Sequence, residues 1–366
     1  MTRRFRIVAA IAALSLFAAA CGDDDTDSAD PGTDTTAVAD DTTDTTAAAT
    51  GDDAAGDEGG TITVYSGRSE ELVGPLFEQF TEATGIEVEV RYGDTAEMAA
   101  QILEEGDNSP ADVYFGQDAG ALGAMSAEGR LLELDAAILD LVPEGLRSPA
   151  GEWVGTSGRA RVVVYNTDAV DPADLPDSIR GFTEPEWGGR IGWAPTNGSF
   201  QSFVTALRVV EGEDGARAWL EGVLANDPAA FDGNSALVEA VAAGEVEVGF
   251  TNHYYLFRFL AEDPGFSAAN YYFTEEDPGG LVNIAGVGVV DTTDTPDLAT
   301  QLVEYLLSAE AQEYFATETF EIPLVEGVEP VEGVPGFADL TIPDIDLNRL
   351  EDLQGTLTLL TEVGAL

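Results

Sequence analysis

Two tyrosines stand side by side at Tyr254 and Tyr255, directly behind Asn252 and His253. The rest of the donor inventory is narrow, with one Cys, one His and three Met in 366 residues. Oxygen is therefore the only ligand the chain offers in quantity, and anionic oxygen suits hard, highly charged cations. A phenol with a pKa of about 10 keeps its proton at neutral pH, but a bound cation stabilises phenolate and inverts that preference. The pair works as a clamp only on a turn, because consecutive side chains on a strand diverge. It follows the apolar run Val246–Phe250, which reads as a strand, and open α/β sheets place ligands at the C-terminal ends of their strands. A second dipeptide at Tyr271 and Tyr272 lacks that setting. Outside it, adjacent tyrosines are as readily packing aromatics.

The elements that must carry these residues have α/β punctuation from about Thr61. Thr61–Tyr65 alternates as a strand, and Leu72, Val73, Leu76, Phe77 and Phe80 recur at helical spacing until Gly85. Ile86, Val88 and Val90 mark a second strand, Met98, Ile102 and Leu103 a second helix ending near Gly106, and Asp112–Phe115 a third strand. The pattern returns with a strand at Arg161–Tyr165, helices over 199–210 and 235–243, and then Val246–Phe250. Two more helices are expected at 298–316 and 347–362. Alternation of this kind predicts parallel sheets covered on both faces. Tyr65 and Tyr165 fall on strands and read as core, with Tyr65 near a cleft. No repeat of solenoid length is visible.

Charge excludes whole classes of function. There are 69 acidic residues against 15 basic ones, a formal net charge of −54, and every basic residue is an Arg. Such a chain repels nucleic acid and anionic membrane surface. One Cys rules out an internal disulfide and cysteine-rich metal centres, and one His rules out a zinc site of the His-rich kind. No nucleophile is paired with a base, no glycine loop precedes a Lys, and Thr156–Gly158 and Gly233–Ser235 are loop chemistry, so no enzyme is expected.

The N-terminus reads as an address. Arg3, Arg4 and Arg6 precede an apolar run from Ile7 to Ala20, too short to span a membrane, and Cys21 follows at once. Ala18–Cys21 resembles a bacterial lipobox, with Ala18 where Leu is usual, which implies removal of 1–20 and acylation of Cys21. Cleavage nearby that leaves a free thiol is the alternative. Residues 22–60 hold 13 acidic residues and no basic or aromatic one, so they bury nothing and extend as a solvated tether.

Five blocks then agree in order: Val64–Arg68, Gly106–Phe115, Ser157–Asn166, Gly192–Phe200 and Asn252–Tyr255. Together they resemble the ferric-ion-binding proteins of bacterial iron-uptake ABC transporters over nearly all of 61–330. The resemblance implies a bilobal periplasmic-binding-protein fold of type II, with two α/β lobes, hinge strands and a ligand cleft between. It places one lobe at 61–160 and 286–335 and the other at 161–285 and 336–366. It implies Fe3+ as the transported ligand, held by Tyr254 and Tyr255.

Other ligand positions depart from the family pattern, with Ser69 where a His is frequent, Gln117 where some members have Glu, and Phe200 where one branch has a third Tyr. Glu70, Gln117 and Asp118 are second-tier candidates, although Glu70 and Asp118 read equally as solvated acids at helix starts. The resemblance further implies an anion pocket, for carbonate or phosphate, at Asn197, Gly198, Ser199, Asn234 and Asn252. Arg159 and Arg161 add charge there or pair with neighbouring acids. His253 reads as a turn residue facing away.

The expected role is a monomeric, lipid-anchored receptor on the outer face of the cell membrane. It takes ferric ion, free or as a chelate, to an ABC permease and its ATPase. The alternatives are a binding protein of the same fold for a phosphonate or thiamine, and a surface lipoprotein without a transport role.

Overall fold

A computed structural model describes residues 59–366. The signal segment, Cys21 and nearly all of the acidic tether lie outside the described residues.

The first half-sheet forms as the alternation dictates. Strand β1 (Thr61–Ser66) leads into helix α1 (Glu70–Thr84), which buries Val73, Leu76, Phe77 and Phe80. The helix stops at Gly85, whose φ of 76° is left-handed and open to glycine. β2 (Glu87–Tyr92), α2 (Thr95–Glu105) and β3 (Val113–Gly116) follow, and β1 pairs in parallel with both β2 and β3. After α3 (Ala119–Ala127) and the short α4 (Ala136–Leu139) comes β4 (Val154–Asn166), thirteen residues long and buried throughout.

β4 joins the two halves. Beyond it lie β5 (Ile191–Trp193), α5 (Gly198–Ala225), β6 (Ala229–Ala230), α6 (Asn234–Ala243), β7 (Val248–Asn252), α7 (Tyr254–Glu262) and β8 (Ala268–Tyr271). The chain returns through β9 (Val282–Val289), α8 (Pro296–Leu306), α9 (Ala309–Thr317), β10 (Ile322–Pro323) and α10 (Leu353–Val363). Up to Ala160, β4 pairs with β9 and β10; from Arg161 it pairs with β7 and β8. The strand order is β2-β1-β3-β9-β4-β7-β5-β6. β9 runs antiparallel to β3 and β4, so the sheet is mixed where an all-parallel one was expected.

Three helix boundaries differ from expectation, each for a local reason. The 298–316 stretch is two helices, because Ser308 caps a new start by accepting from Ala311 N at 3.3 Å. α5 runs past 210 through a kink at Gly212, φ 77°, because Ala216, Trp219, Leu220 and Val223 still have a core to enter. The C-terminal helix starts only at Leu353, after a 3₁₀ turn at Leu347–Glu351, with Asp352 accepting from Gly355 N at 2.9 Å.

Two large cores result. One gathers β1, β3, β9 and their helices around Phe80, Tyr114, Phe115 and Phe315. The other is aromatic, with Phe182, Trp193, Phe200, Phe203, Trp219 and Phe250 in mutual edge contacts. The C-terminal segment enters both, since Leu347 and Leu350 join the first core and Leu359 and Leu360 the second. Leu360 has no exposed surface. Leu360→Ala is therefore expected to cost about 2–5 kcal/mol, read as a lower urea midpoint with an unchanged m value.

Candidate functional site

β7 ends at Asn252, and a single residue later α7 begins with Tyr254. The tyrosine pair thus sits on a strand-to-helix turn at the C-terminal end of a central strand. That turn does what a continued strand cannot: the two rings stack, centroids 4.4 Å apart and 29° from parallel. Tyr254 is buried and Tyr255 half-buried. Burial pushes the Tyr254 phenol well above its ordinary value; the adjacent Tyr255 and Glu321 reinforce this and the Arg159 charge opposes it. Arg258, one helical turn on, lies over both rings at 5.0 and 5.4 Å.

Opposite the pair, β4 presents Arg159 and Arg161. Their spacing of two puts them on one face of the strand, and both are buried. Arg161 donates to Phe250 O at 2.8 Å, and its other terminal nitrogen lies 3.4 Å from Ser199 Oγ and from Asn252 Oδ1. Its guanidinium rests 5.5 Å over Phe200 and 5.2 Å over Phe203, so Phe200 is floor beneath the arginine. Arg159 donates to Ile284 O at 3.1 Å and to Gln117 O.

Neither arginine forms a salt bridge among the described residues, and the Nε atoms of both are buried without a partner. Arg68, Arg147, Arg190 and Arg208 by contrast each meet a carboxylate at 2.5–3.0 Å. Glu321 is close enough for the Arg159 charge to help hold its carboxyl below the usual value, but neither guanidinium is paired with it. In a chain this acidic, two buried, unpaired guanidinium groups form a positive pocket that calls for an anion. Burial lowers the Arg161 pKa to about 9, against the pull of Tyr255 and Tyr254.

The five anion-pocket positions converge beside Arg161. Asn197 caps α5, its Oδ1 accepting from Ser199 N at 3.0 Å and Ser199 Oγ at 2.6 Å. Asn234, at the start of α6, donates to Asn197 Oδ1 at 3.1 Å and to Ser199 Oγ at 2.9 Å, while its own Oδ1 is buried without a partner. Gly198 is the first residue of α5, where backbone amides point outward. A small cleft is lined by Arg159, Arg161, Ser199, Ser202, Asn252 and Asn283.

The second-tier residues fare differently. Glu70 is exposed in the first turn of α1, where its charge bears on Tyr92. Gln117 is half-buried, its backbone N–H donating to Thr95 Oγ1 at 3.2 Å. Asp118 caps α3 by accepting from Gly120 N at 2.8 Å, and its other oxygen accepts from Ser202 and Asn283, so its oxygens are already engaged. Ser69 is exposed. His253 is fully buried with both ring nitrogens hydrogen-bonded to backbone, and burial lowers its pKa to about 4, which keeps it neutral. Tyr65 is core, its hydroxyl 3.1 Å from both Glu105 oxygens. Tyr271 packs on Phe273, and Tyr272 packs with Ala160 and Val282.

Sequence reasoning missed Glu321, Asn283, Ser202 and Arg258. Glu321 is one acid among 69, and only its burial against Arg68 sets it apart. Among the described residues no group of three or more His, Cys, Asp or Glu is placed to hold a metal, so any cation here depends on the phenols and a supplementary ligand.

Residues 108–344 match the model of the bacterial extracellular solute-binding proteins. A relative from Serratia marcescens named Fe(3+)-binding periplasmic protein is 34% identical over 317 residues, covering 86% of this chain and 92% of its own. The chain belongs to the periplasmic ferric-ion-binding protein family. Among solved structures of this family, iron-bound HitA from Pseudomonas aeruginosa superposes with a TM-score of 0.77 at 32% identity, over 83% of this chain and 99% of that one. A Trichodesmium IdiA (FutA) structure with iron and citrate gives 0.72 at 31%, with the same coverage. The bilobal type II fold follows from these likenesses, and the two cores joined by β4 are its expression here.

Proposed function

We propose that this chain is an extracytoplasmic receptor that captures Fe3+ between its lobes and hands it to an ABC permease driven by an ATPase. Tyr254 and Tyr255 supply two phenolates. A small anion, carbonate or phosphate, seats on Asn197, Gly198, Ser199, Asn234 and Asn252 with Arg159 and Arg161 behind it, and completes the shell. Acylated Cys21 anchors the chain, and residues 22–60 let the receptor reach its permease. The lobes comprise 61–160 with 286–335 and 161–285 with 336–366, the last segment strapping the two together. The names of the relatives support iron as the cargo.

The observation that carries the reading is the stacked tyrosine pair facing two buried arginines that form no salt bridge among the described residues. Phenolates satisfy a hard cation, and an anion bound to that cation satisfies the arginines, so each charge in the closed site meets its opposite. Catalysis has no part in this; binding favours the closed arrangement of the lobes.

The test is a titration of metal-stripped protein with ferric citrate, with and without bicarbonate or phosphate, following the phenolate-to-iron charge-transfer band. A band that saturates at one iron per protein is expected. Arg161→Gln is expected to retain the band but weaken its dependence on the added anion, because one of the two charges behind the anion is gone. Absence of colour under every anion condition overturns the iron reading. Calorimetric binding of a phosphonate by the same colourless protein would then assign the arginine cradle to that solute.

A further inference from the structure

We infer that His253 is a positioning residue, resting on the iron reading, which transmits the state of the hinge to the tyrosine pair. Its backbone N–H donates to Ala160 O at 3.0 Å. Its ring closes two further bonds, with Nδ1 accepting from Ala160 N at 3.1 Å and Nε2 lying 2.8 Å from Phe320 O. Ala160 N is a donor, so Nδ1 carries no proton, and the hydrogen therefore sits on Nε2 and points at the Phe320 carbonyl. Asn270 Nδ2 donates to the His253 carbonyl at 2.8 Å. The residue is held at four points with no exposed surface, and Tyr254 is the next residue along, its ring 5.7 Å from the imidazole and perpendicular to it.

The location of these partners is what gives the contacts a role. Ala160 is the last residue of β4 paired with β9, and Arg161 is the first paired with β7. Phe320 lies just ahead of β10, which pairs with the first half of β4. Ala160 thus stands where β4 passes from one half of the sheet to the other. Phe320 lies on the side of the first core, between Phe315 and Leu324, and His253 follows β7 on the other side. The ring bonds therefore cross the place where a hinge turns by changing a few backbone angles. Phe320 has φ 58°, a left-handed conformation that a residue with a β-carbon adopts at a cost, and the bond from His253 secures it. Rotation at either segment must strain or break a bond to His253, and the next residue along is Tyr254. A residue that served packing alone would have no reason to bond both segments through one ring.

The experiment compares the full chain with His253→Asn and His253→Gln, each of which reaches only one of the two ring partners. All three are loaded with iron, and the charge-transfer maximum, the rate of release to a competing chelator and the thermal midpoint are recorded. Each variant is expected to release iron about tenfold faster or more, the range found for groups that orient a metal's ligands, with a displaced band maximum. If both variants lose thermal stability but keep the wild-type maximum and release rate, the inference is overturned. If the wild-type chain itself gives no band, the iron reading falls and this inference with it.

Discussion

Tyr254→Phe is expected to remove most of the charge-transfer band and to weaken ferric binding well beyond the roughly 10–100-fold that an outer-shell partner carries. Phe keeps the ring, the stack on Tyr255 and the burial, so thermal unfolding of the metal-free protein should move little. Proton linkage supplies a second, independent reading. The Tyr254 phenol is held above its ordinary value, chiefly by burial, so its proton is present throughout pH 6–8 and must leave when iron binds. With no titrating anion added, two phenols releasing one proton each make apparent affinity rise with pH at about two log units per pH unit, or ~10⁴ from pH 6 to pH 8. Removal of one phenol halves the slope, leaving ~10² over the same range. Competition against a chelator of known proton dependence measures both slopes. An unchanged slope of two in Tyr254→Phe would show that a different group gives up the second proton.

How far the sequence reaches is clearest at this turn. The two tyrosines, the strand before them and the need for a turn were all legible, because dipeptide, periodicity and ligand chemistry are local facts. The five anion-pocket positions rested on resemblance, and the structure brings them beside Arg161. Asp118 shows the limit. As a residue type it offers two ligand oxygens, yet Gly120, Ser202 and Asn283 occupy them, and two of those donors lie more than 80 positions away. Arg159 and Arg161 read equally as candidates for pairing with neighbouring acids, and only the three-dimensional arrangement shows them without salt bridges among the described residues. Helix ends at Ser308 and Asp352 were hidden for the converse reason, since the apolar spacing runs on across them and the cap decides. The mixed sheet was illegible because strand direction depends on the path between strands.

Glu321→Gln is expected to have the largest effect on the fold of any single change near the site. Arg68 has no exposed side-chain surface, and its guanidinium sits 5.4 Å from the rings of both Phe115 and Phe315. It donates to both Glu321 oxygens at 2.8 and 3.0 Å, while Ser157 donates to the same carboxylate at 2.7 Å. Burial pushes the Glu321 pKa up, but Arg68, Arg159 and the Ser157 bond prevail and hold it below the usual carboxylate value. Replacing the carboxylate by a neutral amide leaves the buried Arg68 charge uncompensated, with only the amide oxygen and Ser157 Oγ at 3.2 Å to accept from it, which costs about 3–5 kcal/mol, on the order of 10 °C in thermal midpoint.

The apolar double variant Arg68→Met with Glu321→Leu should recover much of that loss, because neither charge is then buried. The sign with pH follows from the lowered value. The unfolded chain holds the Glu321 proton more tightly than the native one, so this pair's stability is present above about pH 4.5 and is lost as pH falls below it. Acid unfolding of the wild type should therefore be steeper than that of Glu321→Gln. Glu321 also follows Phe320, whose carbonyl receives His253. A variant that loosens this segment, to which the His253 ring is bonded, should release iron faster even where it remains folded, so the stability of the hinge and retention of the cargo are expected to fall together.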